Sequence, residues 1–242
     1  MHEYDDQDAL VHDLTSRLSL SLNRLIAERG KASVALSGGS TPQSLYEALS
    51  RQVLPWQSVN ISLVDERWVD EMHPESNARF IKNTLIQNHA SGANFIGMKT
   101  SNTDAFAAEQ NLGSILARHI LPLDLVLLGM GLDGHTASLF PGAAGLDRAL
   151  SADCRNVCCA IQPQTGDTSP MPQAGDAKLC ARMTLSLNTL LSAQQRILYI
   201  TGEAKRHVLE NAFTPGPVED MPVRAVLHDS QTLTEIYYAP DS

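Results

Sequence analysis

Leucines recur down one side of the first periodic segment. Leu10, Leu14, Leu18, Leu22, Leu25 and Ile26 lie at steps of four, four, four, three and one, which is a single helical face. Gly30 is well placed to end that helix. A short β-suited run follows at 32–36, then SGGSTP, then a helical pattern carrying Leu45 and Leu49. Thr41 before Pro42 reads as an N-cap and a first helical position, where proline loses only an N–H that has no partner anyway. The unit is strand, glycine turn, helix N-terminus. The alternation recurs, with strands expected at 60–64, 95–98, 123–128, 157–161 and 197–200 and helices at 77–87, 105–120, 187–192 and 203–213. Such alternation predicts an α/β fold with a mostly parallel sheet covered on both faces. One stretch breaks it: 163–178 has three prolines, two glycines and no apolar period, and reads as a long loop. No repeat or linker divides the chain, so one domain is expected over 1–242.

Charge narrows the partners. With 18 Lys and Arg against 27 Asp and Glu, the net charge of −9 argues against nucleic acid, whose phosphates need a field of cations. A small anionic substrate would require local cations working against that field. No stretch can span a bilayer, since the most apolar one, 123–132, contains Asp124 and falls short of the ~20 residues required. The acidic start, MHEYDDQD, is unlike a secretory signal. Cys154, Cys158, Cys159 and Cys180 lack a paired CxxC spacing and read as reduced thiols, which points to the cytoplasm.

In open α/β sheets ligands sit beyond the carboxyl ends of the strands, and the distinctive polar segments here follow expected strands: SGGSTP, DERW, GMGLDGH and TGEAKR. Gly38 and Gly39 would let backbone approach an anion, with Ser40, Thr41 and the N–H groups of the next helix completing a phosphate cradle; a plain capped turn would use the same residues. A P-loop is excluded because no GK[ST] follows, and Ala35 stands where a nucleophile elbow has its first glycine. Gly129, Gly131 and Gly134 spell GxGxxG, yet Asp133 would face a pyrophosphate and no amphipathic helix follows, so a dinucleotide is rejected. His135 is the candidate base: it follows Asp133 at the end of a buried strand, and an imidazole can take a proton from water and return it to a leaving oxygen. Arg67, Arg182 and Lys205 are the cations placed nearest an anion. No HExxH or similar ligand pair suggests a metal.

These segments resemble the 6-phosphogluconolactonases. The matching stretches are LSGGSTP at 36–42, VDERWV at 64–69, PESN at 74–77, LLGMGLDGHTASLFPG at 127–142, RMTL at 182–185 and TGEAK at 201–205. The resemblance implies a three-layer α/β/α sandwich, Rossmann-like and shared with the glucosamine-6-phosphate deaminases. It also implies hydrolysis of 6-phospho-D-glucono-1,5-lactone to 6-phosphogluconate in the oxidative pentose phosphate pathway, with no cofactor and no metal. His135 would activate water and Asp133 would orient its ring. Backbone N–H groups or Arg67 would hold the oxyanion, and Ser40, Thr41, Arg182 and Lys205 the phosphate. The alternatives are a deaminase-like isomerase and a silent sugar-phosphate sensor. Deaminases typically read DGHIAFNEP where this chain has Leu139, Phe140 and Pro141 in place of the glutamate-bearing turn. The expected partner is a small sugar-phosphate lactone, with neither nucleic acid nor membrane; oligomeric state stays open, a monomer being compatible.

Overall fold

The computed structural model describes residues 1–164 and 180–241; most of the expected 163–178 loop lies outside the described residues. In chain order the elements are β1 (His2–Glu3), α1 (Gln7–Arg29), β2 (Ala32–Leu36), α2 (Gln43–Ser50), β3 (Val59–Leu63), β4 (Asp65–Arg67), α3 (Asn77–Thr84), β5 (Asn94–Phe95), α4 (Ala105–Ile120), β6 (Leu125–Leu128), α5 (Leu146–Leu150), β7 (Cys158–Ile161), β8 (Arg182–Leu185), α6 (Leu187–Leu191), β9 (Gln195–Thr201), α7 (Glu203–Phe213), α8 (Val223–Leu227) and β10 (Thr234–Ala239).

The leucine face of α1 is buried at Leu10, Leu14, Leu18, Leu22 and Leu25, each worth roughly 1.5–3 kcal/mol if fully removed from water. Asp6 caps its start by accepting from the Ala9 N–H at 2.7 Å, and Gly30 closes it in the left-handed region. Strands β2 and β6 are buried at every residue, as strands covered on both faces must be. Seven parallel strands form the main sheet in the order β1-β10-β9-β6-β2-β3-β5. Helices α1, α2 and α3 pack against one another as one group, while α5, α6, α7 and α8 form another. Asp124, the carboxylate that interrupts the apolar 123–132 run, is buried because it accepts from the Ser33 N–H at 2.8 Å and from Arg29.

Three features depart from the sequence expectation. First, DER and RMTL are themselves strands: β4, β8 and β7 make a second, antiparallel sheet of three strands, and the expected 157–161 strand belongs there. Strands of three or four residues carry almost no period, and β4 pairs with β8 more than a hundred residues away. Second, the two-residue edge strand β1 and the six-residue β10 beside it lie outside the expected strands. Third, α2 begins at Gln43 with Pro42 as its cap residue, and Thr41 makes no capping hydrogen bond. The glycine turn instead closes through backbone, the Gln43 N–H reaching the Ser40 carbonyl at 3.2 Å.

Candidate active site

From β2 the chain first runs outward to β3 and β5, then returns on the other side of β2 to β6, β9 and β10. The order therefore reverses between β2 and β6, and such a switch point opens a crevice beyond the carboxyl ends of the two strands. A cavity of about 260 Å³ lies there. The glycine loop after β2 and the GMGLDGH loop after β6 both line it, Lys205 enters from α7 just beyond β9, and Arg67 and Arg182 reach it from the second sheet.

The glycines answer to close approach. A Cβ on Gly38 would lie 2.0 Å from Asn77 Oδ1, and one on Gly131 would lie 2.2 Å from the His135 ring. Bare backbone at Gly131 is what lets the imidazole fold back over its own loop. His135 Nδ1 lies 2.6 Å from Asp133 Oδ1, and the same oxygen takes the His135 backbone N–H at 3.1 Å. Phe140 packs on the ring with centroids 4.3 Å apart. Burial works against ionisation of Asp133, but its hydrogen bonds and Coulomb attraction to His135 hold it below the usual carboxylate range. An ionised carboxylate only accepts, so Nδ1 carries the proton, and in the neutral imidazole the lone pair is then at Nε2. The GxGxxG glycines thus build a histidine clamp, and no helix starts at Gly134 for a pyrophosphate to dock on.

Two of the three cations sit on the second sheet. Arg67 of β4 and Arg182 of β8 are register partners across the antiparallel pair. Arg182 is 8% exposed and lies over the Phe140 ring at 5.3 Å. Burial, reinforced by the charge of Arg67, lowers its pKa from the ordinary arginine value, with Asp65 opposing. Burial likewise lowers that of Lys205, with Asp241 opposing. Among the described residues none of these three cations forms an ion pair, and the Nε atoms of both arginines are buried without a hydrogen-bond partner. Buried guanidinium donors without an acceptor are costly unless a ligand supplies one.

Every residue expected from the sequence comes to this crevice: Gly38, Gly39, Ser40, Thr41, Arg67, His135, Arg182 and Lys205 line it, and Asp133 stands behind His135. Sequence reasoning passed over Asp65, Asn77 and Phe140, which line it too. Phe140 and Asn77 lie inside the stretches quoted for the resemblance, and Asp65 is the first residue of DERW, so the signal was present. None of the four thiols lines the crevice: Cys158 and Cys159 are buried, and the Cys154 and Cys159 sulfurs lie 3.7 Å apart. Among the described residues no three His, Cys, Asp or Glu side chains cluster as a metal site would need, and no helix is long and apolar enough to cross a membrane.

Fold and crevice together define a class: a parallel α/β sheet flanked by helices, with a cationic, glycine-edged pocket at its switch point suited to a small anion. The chain belongs to the family of glucosamine-6-phosphate isomerases and 6-phosphogluconolactonases, whose description matches residues 5–235. It is 36% identical over 240 residues to a 6-phosphogluconolactonase of Rhizobium meliloti, covering 99% of this chain and 98% of that one. A crystal structure of a 6-phosphogluconolactonase from Shewanella baltica superposes with a TM-score of 0.89 at 36% identity, over 98% of this chain and 96% of that one. A monomeric glucosamine-6-phosphate deaminase shares the fold, with a TM-score of 0.78 at 20% identity over 99% and 97% of the two chains.

Proposed function

We propose that this chain is a 6-phosphogluconolactonase, hydrolysing 6-phospho-D-glucono-1,5-lactone to 6-phospho-D-gluconate in the cytoplasm as one folded domain. The observation that carries the reading is the His135 imidazole, held by Asp133 at Nδ1, in a cavity shared with three cations that form no ion pair among the described residues. A lactone is already an activated ester, so the reaction needs one base, one water and an oxyanion site. His135 takes a proton from water as the oxygen attacks the carbonyl, and returns it to the ring oxygen as the tetrahedral intermediate collapses. Asp133 holds the ring and stabilises the imidazolium formed between those steps. Arg67, with donors facing the cavity, or backbone N–H groups of the loops take the developing oxyanion. The glycine loop with Ser40 and Thr41, together with Arg182 and Lys205, binds the phosphate and so places the distant carbonyl. A sensor would bind through the same cations but would have no use for a clamped base.

The deciding assay supplies freshly made lactone and couples product to 6-phosphogluconate oxidation, subtracting spontaneous opening. Turnover proportional to enzyme is expected, and no ammonia from glucosamine 6-phosphate, because Phe140 packs on His135 where a deaminase's glutamate turn would lie. Catalytic ammonia release that disappears in His135→Ala would overturn the assignment.

A pH dependence follows from Lys205. As pH rises through its lowered pKa the ammonium becomes neutral, and its attraction for a phosphate dianion is lost. Affinity for 6-phosphogluconate, followed by calorimetry, should therefore fall on the alkaline side before an ordinary lysine would titrate. Lys205→Arg should flatten that fall; an unchanged profile would remove Lys205 from the phosphate site.

A further inference from the structure

Asn77 is nearly inaccessible, at 2% exposure, although it lines the cavity, and three separate segments meet on it. Its backbone N–H donates to Glu66 Oε1 at 2.7 Å. Glu66 is itself buried, and its other oxygen takes the Ala78 N–H at 2.8 Å and the Ser76 hydroxyl at 3.1 Å, so the first turn of α3 is tied to β4. The Asn77 side-chain Nδ2 donates to the Asp65 carbonyl at 2.8 Å. That bond fixes which end of the amide is which, and leaves Oδ1 to accept from Arg67 Nη1. The same Oδ1 presses against Gly38 so closely that no side chain fits there.

We propose that Asn77 is the positioning residue that aims Arg67 into the cavity, and that its neutrality is essential to the task. Arg67 Nη1 is held by two uncharged acceptors, Asn77 Oδ1 and the Glu75 carbonyl at 3.1 Å, while its Nε stays buried without a partner. Amide and carbonyl oxygens fix the guanidinium plane without neutralising its charge, so the full cation remains for the substrate. A carboxylate at the same place would hold Arg67 equally well and cancel what it offers. It would also stand beside the Asp65 carboxylate, 3.5 Å from the present Nδ2. Contact with Gly38 fixes the distance between this arginine and the phosphate loop, so one side chain sets the spacing between the two ends of the ligand.

The inference rests on lactone hydrolysis as the activity, and a mutant cycle tests it. Asn77→Ala should lower kcat by about tenfold, the scale of one charge-assisted hydrogen bond, with KM close to wild type. In an Arg67→Ala background the same change should cost almost nothing, whereas in a Lys205→Ala background it should cost the full factor. Asn77→Asp should lose at least as much as Asn77→Ala. Equal losses in every background, or a fully active Asn77→Asp enzyme, would overturn the proposal. Should Asn77→Ala fail to fold, Asn77→Ser, which keeps a small polar group over Gly38, takes its place in the cycle. Wild-type enzyme without lactonase activity would sink the proposed function instead, and the coupling of Asn77 to Arg67 would then be read in 6-phosphogluconate affinity, where its absence would overturn this inference as well.

Discussion

Replacing His135 with alanine should remove about 10²–10⁴-fold of lactone turnover while leaving 6-phosphogluconate binding in place. The imidazole is held on several sides at once: Asp133 at Nδ1, the bare backbone of Gly131 against the ring, and Phe140 packed on it. Only Phe140 also touches a cation of the phosphate site, Arg182, and through its own ring, so truncating the imidazole removes the base while leaving the cations in place. Turnover is measured against the spontaneous rate and binding by calorimetry with 6-phosphogluconate. Wild-type turnover in the variant would eliminate His135 as the base. Loss of binding together with turnover would show that the ring supports the pocket instead.

The second large effect separates the two ends of the substrate. Arg182→Ala and Lys205→Ala should each weaken kcat/KM for the phosphorylated lactone by roughly 10–150-fold, the range of a charged hydrogen bond. Unphosphorylated gluconolactone, having no dianion to lose, should be nearly indifferent. Both side chains are withdrawn from bulk water, which makes their interaction with an anion stronger and less sensitive to salt than an exposed pair. Equal losses on both substrates would mean that the residue serves fold or chemistry. For Arg182 that outcome has a structural route, since its guanidinium also lies over Phe140, which packs on His135.

Where local pattern decides structure, the sequence is a good guide. The α1 leucines, the β2 run and the 105–120 and 203–213 helices appear with the expected bounds or within a few residues of them, because burial of one face is written directly into spacing. The second sheet was not legible. Its strands are short, Arg67 and Arg182 are polar residues that no hydrophobic period would place in a ladder, and their pairing joins segments far apart in the chain. Thr41 failed as a cap because the turn satisfied its N–H groups through backbone, an outcome that residue preference does not foresee. The catalytic candidates were readable for a different reason. His135 and the glycine loops follow strands that bury completely, and the end of such a strand projects into the crevice whatever the details of packing. Asn77 stands in the quoted PESN stretch, but its contacts with Asp65, Arg67 and Gly38 join separate segments and cannot be read from spacing.

The register sets Arg67 opposite Arg182 in the second sheet. Like charges facing each other across an antiparallel pair push it apart, by roughly 0.2–1 kcal/mol when exposed to water, and here one of them is almost wholly enclosed. Burial and the Arg67 charge both press on the Arg182 cation, and the Asp65 carboxylate offsets part of that pressure. A phosphate held at Arg182 would add a second counter-charge beside Asp65, and so act as a structural counter-ion as well as a handle on the substrate. Filling the site and tightening the second sheet would then be one thermodynamic event.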